Sequence, residues 1–145
     1  MNYLECKISY EKTLENGKEK KVSEPYLVDA LSFTEAEARI IEEVKPFISG
    51  EFEVKSIRKY KVAEIVVDES GDRFFKCKLN FITLDEKSGN EKKTATNILV
   101  QATTLDEAKV TLVNHMKTTM CDYSIEKIEE TKIMDVFPFN LAKNV

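Results

Sequence analysis

The chain lacks most of the residues on which common catalytic and metal sites are built. It has one histidine and three cysteines in 145 residues, and no two of them are closely spaced. Neither a zinc site nor a disulfide framework is therefore indicated. Four glycines leave little material for a phosphate-wrapping loop, and no P-loop, nucleophile elbow or His-Glu zinc motif occurs. The sequence predicts no metal and no cofactor.

Long apolar runs and an excess of positive charge are also missing. No segment approaches the roughly 20 apolar residues of a membrane-spanning helix, and the first residues run directly into a strand pattern instead of a signal sequence. The formal net charge of −4 argues against general binding of nucleic acids, because neutralising phosphates requires a surplus of lysine and arginine. We therefore expect a cytoplasmic protein with reduced cysteines and no membrane partner.

What the sequence does contain is a repeat, because its two halves match each other in chain order. Residues 3–8 are matched by 74–79, and residues 27–30 by 99–102. The joint between the halves, near residues 69–72, is too short for a linker between independent domains. These matches predict an internal duplication within a single domain over 1–145, with repeat one at 3–68 and repeat two at 74–139.

Each half begins with a predicted hairpin. Apolar and polar residues alternate from 4 to 10 and again from 75 to 81, which is typical of half-buried strands. Asn16-Gly17 indicates a tight turn between two strands. The longer turn around Ser88-Gly89 predicts the corresponding hairpin in the second half.

A helix and further strands are predicted after each hairpin. Ser32-Phe33-Thr34-Glu35 and Thr104-Leu105-Asp106-Glu107 both have the capping-box pattern that begins a helix. The alternation then changes after Val54 and Ile125, which indicates a bulge. The predicted fold class is therefore α+β, built from duplicated β-β-α-β(β) units with pseudo-two-fold symmetry and a mainly antiparallel sheet covered by two helices.

Two carboxylates stand in the apolar segments that end the halves. Glu64 lies between Ala63 and Ile65, and Asp135 lies between Met134 and Val136. A carboxylate in such a place is costly unless it is paired or exposed. One interpretation is that the two carboxylates belong to a ligand site. A second is that they form ion pairs or protect a strand edge by their charge. A third is that they act as an enzymatic acid–base or metal pair.

Basic and aromatic residues alternate with the core positions of the first strand in each half. They are Tyr3 and Lys7 in the first half and Phe74, Lys76 and Lys78 in the second. Aromatic rings beside lysines on a sheet can stack a base and hold a phosphate. The same pattern also describes an ordinary solvated sheet face.

Two further features remain open. His115 has no counterpart in the first half and no second histidine or nearby cysteine, so no chemical role is expected for it. Phe137-Pro138-Phe139 is an apolar segment that either packs on the core or contacts a partner.

Four segments extend over nearly the whole chain and carry a resemblance: residues 4–7, 24–38, 75–79 and 133–138. They resemble a domain-of-unknown-function family found in Bacteroidota and their phages. The family brings no established activity, so the resemblance implies a source and little chemistry. Members tend to carry tryptophan at the start of each half, where this chain has Tyr3 and Phe74.

The sequence thus predicts a non-enzymatic binding module for a phosphate-bearing ligand, either a nucleotide or a short nucleic acid. The candidate ligand-binding residues are Tyr3, Lys7, Glu64, Phe74, Lys76, Lys78 and Asp135. A phage-encoded protein of this kind would sequester a host nucleotide signal. The alternative is a protein-interaction or assembly module, such as a homo-oligomer or a virion component.

Overall fold

The computed structural model describes residues 2–139 and divides them into two compact units. Unit 1 comprises residues 2–60 and 132–139, and unit 2 comprises Lys61–Thr131. The chain contains, in order, β1 (Tyr3–Thr13), β2 (Glu19–Asp29), α1 (Phe33–Val44), β3 (Phe52–Lys59), β4 (Glu64–Val66), β5 (Arg73–Leu84), β6 (Glu91–Ala102), α2 (Leu105–Met116), β7 (Asp122–Glu130) and β8 (Val136–Phe137).

Unit 1 is a four-stranded sheet with α1 packed on one face. The strand order is β3-β1-β2-β8, in which β1 is antiparallel to β2 and β3, and β8 is parallel to β2. The even-numbered residues of β1 face α1, as the alternation predicted. The core between sheet and helix contains Leu4, Cys6, Ile8, Val28, Ala30, Ala36, Ile40, Val44 and Ile48.

Unit 2 has the same kind of sheet. The order is β4-β6-β5-β7, in which β5 is antiparallel to β6 and β7, and β4 is parallel to β6. Helix α2 packs against β6 and β7. Its core contains Phe75, Cys77, Leu79, Ile98, Val100, Ala102, Ala108, Leu112 and Met116. The predicted class, a mixed α+β fold with two helices, is confirmed, but the structure has two mainly antiparallel sheets with one helix each where the sequence predicted one sheet.

The last strand of each half of the sequence pairs with the hairpin of the other half. β4 comes before the joint at residues 69–72, yet it pairs with β6 of unit 2. β8 comes at the end of the second half, yet it pairs with β2 of unit 1. Each of these strands comprises only part of the apolar segment that ends its half, residues 61–67 and 132–137. A short apolar segment fits any open sheet edge, so its sequence specifies burial and not its partner.

Both helices begin at the predicted caps. The hydroxyls of Ser32 and Thr104 accept hydrogen bonds from the backbone N–H of Glu35 and Glu107, at 3.1 and 3.2 Å. The two glutamates reach back one residue further than in the usual capping box, since they accept from the N–H groups of Leu31 and Thr103. At the start of each helix, two side chains therefore accept hydrogen bonds from backbone N–H groups. Neither described helix is long and apolar enough to cross a membrane.

The predicted bulges are confirmed and fall at matching places. In β3 the pairing with β1 skips Lys55, because Lys7 is opposite Ser56 whereas Ile8 is opposite Val54. In β7 the pairing with β5 skips Glu126 in the same way. Each bulge changes which residues of the strand face the helix.

Candidate functional site

An open cleft in unit 1 brings four aromatic rings together with two carboxylates. It has a volume of about 290 Å³ and lies beside the C-terminal end of α1, where the buried Val44 and Ile48 line its inner side. We call it the aromatic cleft. Its remaining lining residues are Tyr10, Lys12, Glu24, Tyr26, Phe47, Met134, Asp135 and Phe137.

Three strands and the end of one helix position these side chains. Tyr10 lies near the outer end of β1, and Glu24 and Tyr26 lie on β2 at alternate positions that share one face. β8 runs parallel to β2 and places Phe137 against Tyr26, with ring centroids 6.0 Å apart and an angle of 17° between the planes. Phe47 follows α1 and is 82% exposed. The cleft is therefore walled by rings that are held in place on one side and open to solvent on the other.

The tyrosines of the cleft keep their protons at neutral pH. A hydrogen bond to the Glu24 carboxylate, together with burial, raises the pKa of Tyr10 to about 12. Burial raises the pKa of Tyr26 to about 12 as well, with smaller contributions from the charges of Glu24 and Asp135. The Asp135 carboxylate also accepts a hydrogen bond from the backbone N–H of Val136 at 2.8 Å. The cleft therefore offers aromatic rings and negative charge to a ligand, and neither tyrosine hydroxyl is ionised at neutral pH.

A second cavity in unit 1 is bordered by residues of β1, β2 and the segment that leads into β3. Its volume is about 520 Å³, and it is lined by Ser9 and by several glutamates. Ser9 is 2% exposed, and its hydroxyl has no hydrogen-bond partner among residues 2–139. A hydrogen bond with Glu11 is the main cause that raises the pKa of Glu19, and the like charge of Glu11 adds to it.

A family model described as Domain of unknown function (DUF4494) matches residues 2–139. The chain belongs to this family. The resemblance to a family of unknown function is thereby confirmed, and it spans both units. No curated protein and no solved structure matches the chain significantly.

The two predicted carboxylates have separate surroundings in this DUF4494 domain. Asp135 lines the aromatic cleft of unit 1. Glu64 begins β4 in unit 2, where its carboxylate contacts the Nε2 atom of His115 on α2. Both partners of this pair are partly exposed. The Glu64 carboxylate therefore has a specific side-chain partner, and this partner is His115, for which no role was expected.

The two predicted stacking residues are buried. Tyr3 is 6% exposed and Phe74 is 3% exposed. Burial is the main cause that raises the pKa of the Tyr3 hydroxyl. Neither ring presents a free face at the surface, so stacking on a base would require the packing around the ring to change.

The three predicted lysines lie on strands in two units. Lys7 of β1 and Lys76 of β5 are half-buried. The Nζ atom of Lys78 on β5 lies 3.6 Å from a carboxylate oxygen of Glu126, the residue that the pairing of β7 with β5 skips. Each lysine thus lies on the sheet face opposite the helix, as the alternation predicted.

The sequence reading missed most of the aromatic cleft. Of the predicted site residues, only Asp135 lines it. Tyr10 and Tyr26 were recognisable as inward-facing residues of a hairpin, but nothing in the sequence indicated that Phe137 would come to lie against Tyr26. Among the described residues, no group of three or more histidine, cysteine, aspartate or glutamate side chains has an arrangement suited to a metal ion.

Proposed function

We propose that this chain is a non-enzymatic binding module that takes up its ligand in the aromatic cleft of unit 1. The observation that supports this is the convergence of Tyr10, Tyr26, Phe47 and Phe137 with two carboxylates around an open cavity of about 290 Å³. Ligand sites are typically concave and mostly apolar, with a few polar groups that orient the ligand. The volume is suited to one small group, such as a side chain or the head of a larger ligand.

A ligand screen with a cleft variant tests this proposal. Thermal shift against a panel of amines, carboxylates and nucleotides should identify a stabilising compound, because a ligand that binds only the folded state raises its stability. Phe47→Ala should weaken that response, since Phe47 lines the cleft and its exposure means that the change leaves the core intact. Leu31→Ala is the matched control, because Leu31 is equally exposed and lies outside the cleft. A response that Phe47→Ala leaves unchanged contradicts the proposal.

The phosphate-bearing ligand predicted from Lys7, Lys76 and Lys78 remains a second proposal. These lysines lie on the sheet faces opposite the helices, and Lys78 is held by Glu126. Mono-, di- and cyclic nucleotides and short single strands belong in the same panel. Stabilisation by one of them that Lys78→Ala reduces would support this ligand class and the sequestration of a host nucleotide signal. A flat response to all of them would remove it.

An interaction or assembly module is the alternative function. Leu31, Phe47 and Met120 are 82%, 82% and 99% exposed, and large exposed apolar side chains are common at protein contacts. Light scattering over a range of concentrations measures whether the chain forms a homo-oligomer. A constant monomeric mass would contradict self-assembly.

We further infer an internal duplication with pseudo-two-fold symmetry, an origin in Bacteroidota or their phages, and a cytoplasmic location. The matching strand orders of the two sheets and the matching bulges at Lys55 and Glu126 support the duplication. We also retain the prediction of one domain over 1–145, for which a single calorimetric unfolding transition is expected. Two separate transitions would contradict it.

A further inference from the structure

We propose that the aromatic cleft selects an organic cation without N–H donors, such as a quaternary ammonium group, over neutral and anionic ligands of the same shape. This inference rests on the proposed function, because it names the ligand class of the same site. Three properties of the cleft support it: its charge, the arrangement of its rings and the hydrogen bonds that its carboxylates already accept.

The charge of the cleft favours a cation. Among the lining residues, the carboxylates of Glu24 and Asp135 are opposed by a single ammonium group, that of Lys12. Lys12 and Asp135 are exposed, whereas Glu24 is half-buried, so Glu24 is the more shielded of the three charges. Charges that are shielded from solvent act more strongly on a ligand than charges in water. A bound cation would meet a negative field on the inner side of the cleft.

The rings add an attraction of the same sign. The face of an aromatic ring carries partial negative charge, which attracts an ammonium group positioned over it. Tyr26 and Phe137 lie nearly parallel, at 17°, and Tyr10 and Phe47 complete the wall. Since both tyrosine hydroxyls stay protonated well above neutral pH, the rings remain neutral at working pH.

The carboxylates are already partly engaged as hydrogen-bond acceptors. Glu24 accepts a hydrogen bond from the Tyr10 hydroxyl, and Asp135 accepts one from the backbone N–H of Val136. They therefore act on a ligand more by charge than by new hydrogen bonds. A methylated ammonium group needs only charge and apolar contact, whereas a primary amine loses hydrogen bonds with water that the cleft replaces incompletely.

Three probes of one shape test the selectivity. Choline, 3,3-dimethyl-1-butanol and 3,3-dimethylbutanoate carry the same branched head as a cation, a neutral molecule and an anion. NMR titration of the full chain should show choline binding about tenfold more tightly than the neutral alcohol, with the anion weakest. Shifts should be largest at the cleft residues. Equal or tighter binding of the alcohol or the anion would overturn the cation inference while leaving a binding cleft in place.

Charge variants make the test independent of any loss of folding. Lys12→Ala removes the opposing cation at an exposed position and should tighten choline binding. Lys18→Ala makes the same change in net charge at the hairpin turn, outside the cleft, and should leave choline binding unchanged. Glu24→Gln should weaken choline binding. Choline binding that responds equally to both lysine variants would assign the effect to net charge and overturn the inference. Failure of all three probes and of the wider ligand panel would overturn the proposed function itself.

Discussion

At the scale of single residues, burial separates the three cysteines into two classes. Cys6 and Cys77 are completely buried in the cores of their units, whereas Cys121 is exposed. Burial raises the pKa of both core thiols to about 11. The thiolate is the reactive form of cysteine, so the two core thiols are protected both by lack of access and by protonation.

We therefore expect one fast and two slow thiols in the native protein. At pH 8, a thiol-specific chromogenic disulfide reagent should react rapidly with Cys121 alone, and all three thiols should react in denaturant. Cys121→Ser should abolish the fast phase. A fast phase of two or three thiols in the native wild-type protein would contradict the burial of Cys6 and Cys77.

The same pKa shifts predict a loss of stability at alkaline pH. The thiols of Cys6 and Cys77 shift upward from 9.0 to about 11, and the hydroxyls of Tyr10 and Tyr26 shift upward from 10.0 to about 12. A raised folded-state pKa means that the unfolded chain releases its protons first, so the free energy of unfolding falls between about pH 9 and pH 12. Urea unfolding at pH 8, 9.5 and 10.5 measures this fall. A constant free energy of unfolding over that range would contradict it.

A glycine is required at one position in the turn between β4 and β5 of unit 2. An added Cβ atom at Gly71 would lie 2.6 to 2.8 Å from backbone atoms of Ala102. Backbone atoms cannot move aside as a flexible side chain can, so Gly71→Ala should destabilise the protein by about 1–3 kcal/mol. Gly89→Asn is the control, because Gly89 has open space and a φ of +72° that asparagine tolerates. Equal melting temperatures for the two variants would contradict the steric account.

At the scale of elements, each helix depends on a cap that the sequence identified. Ser32→Ala and Thr104→Ala should each lower stability by about 1 kcal/mol, because each leaves a first-turn N–H group without its side-chain acceptor. Thr34→Ala, inside the first turn of α1, is the control and should be neutral or slightly stabilising, since alanine favours helix. Chemical denaturation measures all three. A larger loss for Thr34→Ala than for Ser32→Ala would contradict the assignment of the cap.

The elements also show why the site was only partly predictable. Side-chain alternation placed Tyr26 on the inner face of β2 correctly, because that face follows from local backbone geometry. It could not show that β8 would pair with β2 and place Phe137 beside Tyr26. The same alternation placed Tyr3 and Phe74 on the opposite face from the core correctly, but their burial depends on tertiary packing.

At the scale of the whole molecule, the units do not coincide with the halves of the sequence. Unit 2 is the continuous segment Lys61–Thr131, which begins before β4 and ends before β8. A fragment of residues 61–131 should therefore be more stable than one of residues 74–139, because the second fragment lacks β4 and leaves the edge of β6 open. Thermal unfolding followed by circular dichroism compares the two. Greater stability of the 74–139 fragment would contradict the pairing of β4 with β6.

The amino-acid sequence by itself determined the local features of this protein. The hairpins, the caps at Ser32 and Thr104, the bulges after Val54 and Ile125, and the buried positions of Cys6 and Cys77 all follow from side-chain periodicity and short-range hydrogen bonding. The tertiary structure alone decided which sheet receives β4 and β8, and which side chains meet Asp135 in the aromatic cleft. Those outcomes depend on contacts between residues far apart in the chain. The sequence of a short apolar strand does not specify which strand it pairs with.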